Sequence, residues 1–100
     1  MNKEIFISHS SKDDPFVKKL RQQLELHDQT TWVDSRELTG GDKLDATIHQ
    51  VIKDATHFVV ILTIEAMSST YVQKEIKWAL AEEKARPDAY KIIQIGRASC

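Results

Sequence analysis

Short β-branched apolar runs and longer stretches of helical period alternate strictly along this chain, and few architectures accept that order. Ile5-Phe6-Ile7 is a short apolar run followed by the polar stretch His9 to Asp14, as expected of a buried strand feeding a loop. Asp14-Pro15 then supplies an N-cap and a first-position proline. Phe16, Val17, Leu20 and Leu24 recur at helical spacing while Lys18, Lys19, Arg21 and Gln22 face away, so a helix is predicted to about His27. Thr30-Thr31-Trp32-Val33 reads as a second strand, closed by Asp34. Ser35 to Lys43 has no apolar period and contains Gly40-Gly41, which predicts a loop long enough to reach a neighbour or a ligand. Leu44, Ile48, Val51, Ile52 and Ala55 repeat as a second helix, and His57 to Leu62 is the most strand-like run, predicted to be buried on both faces. Ser68-Ser69-Thr70 offers caps for a third helix whose stripe is Val72, Ile76, Ala79 and Leu80 and which Pro87 stops. Lys91 to Ile95 is a last strand.

Strict alternation with helical connections implies an α/β fold, a parallel sheet with right-handed crossovers and helices on both faces. Sheets of this kind bind ligands beyond the carboxyl ends of the strands, where the strand order reverses. For a flavodoxin-like strand order 2-1-3-4, that crevice lies between the loops after the first and third strands.

Composition narrows the chemistry. One hundred residues make one domain, and 41% hydrophobic with 29% charged content belongs to a folded one. Lys plus Arg at 14 against Asp plus Glu at 15 lacks the basic excess that phosphate backbones attract, so no nucleic acid is expected as a partner. Phe58 to Leu62 is far too short an apolar run to cross a bilayer, and Met1 to Ile5 lacks the design of a signal peptide, so no membrane is expected and the chain is placed in the cytoplasm. Cys100 stands alone, which removes internal disulfides and thiolate metal clusters. His9, His27, His49 and His57 are scattered without i, i+4 partners, so no metal site is expected. No glycine-rich phosphate motif follows the first strand. A phosphorelay receiver would need an Asp where the central strand ends in Leu62-Thr63.

The most informative stretch runs from Ile61 to Glu75. On a helix advancing about 100° per residue, Glu75 falls beside the stripe of Val72, Ile76 and Ala79, with Tyr71 one turn earlier on the same side. That turns the acid toward the domain and into the crevice, with an aromatic ring above it. The same residues also suit an early-helix acid favoured by the macrodipole beside a rim aromatic. Ser10 and Ser11 are equally suited to a turn, Trp32 and Trp78 to packing, and Met67 to the core. Glu82-Glu83-Lys84 reads as a solvated helix end.

Together these segments resemble a known family. Ile5-Phe6-Ile7-Ser8-His9-Ser10 is similar to the opening strand motif of Toll/interleukin-1 receptor (TIR) domains of the bacterial type. Trp32-Val33-Asp34 with the Gly40-Gly41 loop and Leu44 resembles their second strand and BB loop, and Ser69-Thr70-Tyr71-Val72-Gln73-Lys74-Glu75 resembles their signature of an aromatic four residues before a glutamate. The resemblance covers residues 5 to 95 in the right order and implies the fold derived above. It also implies an activity: many members cleave NAD+ at the nicotinamide–ribose bond, with NAD+ as substrate and no further cofactor. Glu75 matches the catalytic glutamate. Tyr71 would pack on the ribose or nicotinamide, where many active members carry Trp. His9 and Ser10 would line the opposite wall, and Asp34 with the loop bearing Leu38, Gly41 and Lys43 would gate the site.

The resemblance further implies homotypic self-association as the switch, in bacterial defence or signalling. Its alternative is a non-catalytic TIR interaction module. Family members continue past the fourth strand with a helix, a fifth strand and a final helix, so residues 1–95 read as an incomplete TIR domain and 96–100 as a tail. A bare apolar edge strand is then expected to favour association.

Overall fold

The computed structural model describes residues 4–33 and 41–96. Strands β1 (Glu4–Ser8), β2 (Thr30–Val33), β3 (His57–Leu62) and β4 (Lys91–Gly96) form one sheet in the order β2-β1-β3-β4. Every neighbouring pair is parallel. Helices α1 (Asp14–Leu26), α2 (Gly41–Asp54), α3 (Ile64–Met67) and α4 (Thr70–Ala85) make the crossovers. This is the predicted α/β topology, and it puts the reversal of strand order between β1 and β3.

The period of two along the strands divides the core. Phe6, Phe58 and Val60 face α2, α3 and α4, packing with Ile48, Ile52, Ala66, Val72, Ala79 and the fully buried Tyr90. Ile5, Ile7, Val59 and Ile61 face α1 and meet Val17, with Phe16, Leu20 and Leu24 at the margin. Register sets Trp32, Phe6 and Phe58 side by side across β2, β1 and β3. Their rings stack, with Phe6 5.5 Å from Trp32 and 5.6 Å from Phe58 between centroids. Each such cross-strand pair stabilises the register by roughly 0.2–1 kcal/mol.

Helix ends follow their local chemistry. The side chain of Thr63 accepts the Ala66 N–H to start α3, and that of Ser69 accepts the Val72 N–H to start α4. Helix α1 closes with Asp28 at φ 61°, the Asp28 N–H on Glu25 O and the Gln29 N–H on Leu24 O, a paired closure usually made by glycine. Its N-cap is Asp13 rather than the expected Asp14, which is the first helical residue.

Three further expectations are corrected here, and one element is added. Helix α2 begins at Gly41, so the expected loop ends before Lys43. Helix α3 was not anticipated, because four residues are too few to display a period. Met67, expected in the core, is 61% exposed: Ala66 is the residue of α3 that turns inward, and its neighbour is rotated about 100° away. Leu80, expected in the inward stripe, is 51% exposed for the same reason, since the face of α4 that meets the sheet runs through Val72, Glu75 and Ala79.

Where α4 meets β4, the Tyr90 hydroxyl donates to Ile52 O at 3.0 Å. Arg86 Nη2 donates to Glu82 Oε1 at 3.0 Å and also to Lys53 O, while its guanidinium lies 5.1 Å from the Tyr90 ring centroid. The end of α2 is thereby clasped to the turn that leads into β4.

Candidate functional site

Of the buried polar residues among those described, all but Thr31 gather around the carboxyl ends of β1 and β3: Ser8, His9, Ser10, Asp13, Thr63 and Glu75. A parallel sheet concentrates them there by construction, because each strand runs apolar to its end and then releases the chain into a polar loop.

Glu75 lies in the middle of the inward face of α4, one turn after Val72 and one before Ala79, and is only 2% exposed. Its partner comes from the far side of the sequence. Ser8 closes β1 on the face that Phe6 shares, the face that α4 covers, and is fully buried. The Ser8 hydroxyl donates to Glu75 Oε1 at 2.7 Å. Burying a carboxylate costs several kcal/mol unless such donors meet it. A position flanked by Val72 and Ala79 would serve packing better with an apolar residue, so packing does not account for the acid.

A second link crosses the same end of the sheet. Asp13, in the 3₁₀ turn Ser11–Asp13 after β1, accepts a hydrogen bond from Thr63 Oγ1 at 2.8 Å, and both residues are buried. The loops after the two strands that flank the switch point are thus tied to each other. Thr63 is used twice, since its oxygen also accepts the Ala66 N–H at 3.1 Å.

The expected site residues distribute as follows. Glu75 is turned inward as its spacing required. His9, the residue after Ser8, is buried, with Nε2 2.7 Å from Asp14 Oδ1. Ser10 is a turn residue: its hydroxyl accepts the Lys12 N–H at 3.2 Å and its carbonyl the Asp13 N–H at 2.9 Å. Tyr71 stands in the first turn of α4, one turn before Glu75, and is 47% exposed. Lys74 Nζ lies 5.7 Å from the Tyr71 ring and 5.8 Å from that of Trp78, which itself stacks on His49 at 4.4 Å. Trp32 and Trp78 therefore pack, as expected. Gly41 and Lys43 fall in the first turn of α2. Asp34 and Leu38 lie outside the described residues.

Sequence reasoning passed over Ser8, Asp13 and Thr63. The signal for Ser8 was present: alternation along β1 assigns Glu4, Phe6 and Ser8 to one face, and a serine ending an otherwise buried apolar strand asks for a partner. Asp13 and Thr63 are 50 residues apart in sequence, and only the fold brings them together. Among the described residues no group of three His, Cys, Asp or Glu is arranged to hold a metal, and no helix is long and apolar enough to cross a membrane.

A family profile described as TIR domain matches residues 5–98. The fold is similar to the TIR domain of the Toll-related receptor TRR-2 from Hydra magnipapillata, with TM-score 0.76 and 20% identity over 96% of this chain and 71% of that one. It is similar also to the TIR domains of the activated Roq1 resistosome directly recognizing the pathogen effector XopQ, with TM-score 0.78 and 21% identity over 95% of this chain and 57% of that one. A 2-desoxiribosyltransferase from Leishmania mexicana aligns with TM-score 0.70 and 11% identity over 98% of this chain and 65% of that one. At these identities the likeness is one of fold. No curated protein matches the sequence significantly.

Proposed function

Because the chain belongs to the TIR domain family, we propose that it is an NAD+ glycohydrolase that cleaves the nicotinamide–ribose bond, with Glu75 as its catalytic residue and self-association as its switch. The observation that carries this reading is Glu75 itself, a carboxylate buried in the inward face of α4 and met by a β1 hydroxyl at the carboxyl edge of the sheet. The aromatic four residues before it is Tyr71, the spacing of the family signature.

The chemistry suits one carboxylate. As the bond between C1′ of the ribose and the pyridinium nitrogen breaks, its electron pair returns to the ring and nicotinamide leaves neutral, so no general acid is required. The ribosyl carbon is left with oxocarbenium character, which a fixed negative group stabilises. Water then adds to C1′ and releases a proton. Glu75 binds the ribose hydroxyls and faces the developing positive charge. Tyr71, half-exposed at the rim, packs on the ribose or the nicotinamide, and His9 lines the wall opposite α4. That a desoxiribosyltransferase shares the fold supports the reading only at the level of architecture, since one fold hosts many chemistries. The assembled state of the Roq1 TIR domains supports self-association in the same way.

The test is nicotinamide release from NAD+ by concentrated protein, free and tethered into clusters, with E75Q alongside as an isosteric control. Release in the wild type should fall by at least about 100-fold in E75Q, as for loss of a group that stabilises transition-state charge, while the circular dichroism spectrum stays unchanged. Absence of release from folded, clustered wild-type protein would select the interaction-module reading.

A further inference from the structure

We propose that Ser8 is a positioning residue for Glu75, holding the carboxylate in the orientation that receives the ribose; this rests on the glycohydrolase reading above. Ser8 is fully buried and Glu75 nearly so, and the two meet across the strand–helix interface from positions 67 residues apart. Their surroundings are apolar: Phe6 precedes Ser8 on the same face, Val60 pairs with it across the sheet, and Val72 and Ala79 flank Glu75. Two facing polar residues in such a setting are costly to fold unless each satisfies the other, and the 2.7 Å separation is that of a hydroxyl bound to a carboxylate.

The geometry also says what the bond does. Ser8 terminates a central strand whose backbone is paired on both sides, to β2 and to β3, so its hydroxyl is carried on a backbone held from both edges. Glu75 reaches its carboxylate through three side-chain torsions, which a helix alone leaves free to vary. A donor on the sheet that grips Oε1 fixes the plane of the carboxylate relative to the carboxyl edge of β1. A carboxylate accepts about four hydrogen bonds in all, so binding Ser8 and binding ribose hydroxyls are compatible. Preorganisation of this kind stabilises the transition state without altering the parts of the substrate that are bound remotely.

The experiment compares wild type, S8A and S8C in steady-state NAD+ cleavage, with thermal unfolding of each. S8C keeps the side chain's shape with a much weaker donor, and stands in for S8A if the alanine variant does not fold. The expected result is a kcat lowered roughly 10- to 100-fold, the scale of a misplaced catalytic group, with KM changed less than about threefold and a folded protein in both variants. A loss confined to KM, or a kcat per folded molecule equal to wild type, overturns the positioning role while leaving Glu75 catalytic. A wild type that releases no nicotinamide overturns the glycohydrolase reading, and the role assigned to Ser8 with it.

Discussion

Glu75 and Tyr90 each carry an oxygen into the same apolar layer between the sheet and helices α2 and α4, and they solve the cost of doing so differently. Tyr90 gives its hydroxyl to a backbone carbonyl, Ile52 O, at the end of a helix where carbonyls lack intrahelical partners in any case. Burial, with Glu82 and Glu83 adding to it against Arg86, pushes the phenol well above its usual range, so it remains a neutral donor. Fold and side chain gain together. Glu75 is met instead by a second buried polar side chain, the Ser8 hydroxyl, so that one buried polar residue calls for another. A buried polar pair at two positions suited to apolar packing is what the proposed glycohydrolase function expects of a site residue and its support, at some expense of stability.

Removing Tyr90 puts this contrast to its hardest test. Y90A deletes a fully buried ring together with the clasp from Arg86, and large-to-small changes of this kind cost about 3–5 kcal/mol, a large share of the roughly 5–15 kcal/mol that holds a domain. Y90F removes only the hydroxyl and should cost about 1–2 kcal/mol in urea unfolding, for the hydrogen bond and the carbonyl left behind. In both, cleavage per folded molecule should be unaltered. A Y90F protein as stable as wild type would show the clasp to be incidental, and the two oxygens would no longer differ in kind.

The contrast also explains what could be read from the sequence. Tyr90 and Glu75 sit on regular elements or at their ends, and period is what sequences display. The strands β1 to β4, the inward turn of Glu75 and the cap at Ser69 follow from local chemistry, which is why they were legible. Ser8 was legible in principle, from alternation alone. The Asp13–Thr63 tie was not, because it depends on β1 and β3 being neighbours and on the turn after each. Met67 and Leu80 went astray for a different reason: an apolar residue one position beyond an inward residue satisfies a loose count of hydrophobics yet points about 100° away.

Thr63 sharpens the comparison from the other side, since it lies among the buried polar residues of the site but serves the fold. Its oxygen caps α3 through the Ala66 N–H and its hydrogen goes to Asp13. T63V removes both and leaves Asp13 buried without that donor, so a loss of about 1–2 kcal/mol is expected from the cap and the hydrogen bond. T63S should recover most of it. If T63V were neutral in unfolding but lowered cleavage, the tie would belong with Glu75 rather than with Tyr90.

The smallest effect belongs to a polar network whose charged members, Arg21 and Glu25, are half-exposed. At the junction of α1 and β2, Thr31 donates to Glu25 Oε2 at 2.9 Å, while Arg21 Nε reaches both Glu25 Oε2 at 3.2 Å and Thr31 Oγ1 at 3.0 Å. The Thr31 hydroxyl above all, helped by Arg21, holds the Glu25 carboxyl below its ordinary value. A carboxyl depressed in the folded state stabilises it above the unfolded value and loses that contribution as the pH falls through the folded one. The stability difference between wild type and E25Q should therefore be complete at neutral pH and shrink to nothing in acid, once glutamate is as neutral as glutamine. Being solvent-exposed, it should also shrink in 1 M salt, where the screening length is only about 3 Å. A difference that persisted in acid would assign the network's stabilisation to hydrogen-bond geometry rather than charge, and would rank this exposed junction with the Tyr90 clasp instead of below it.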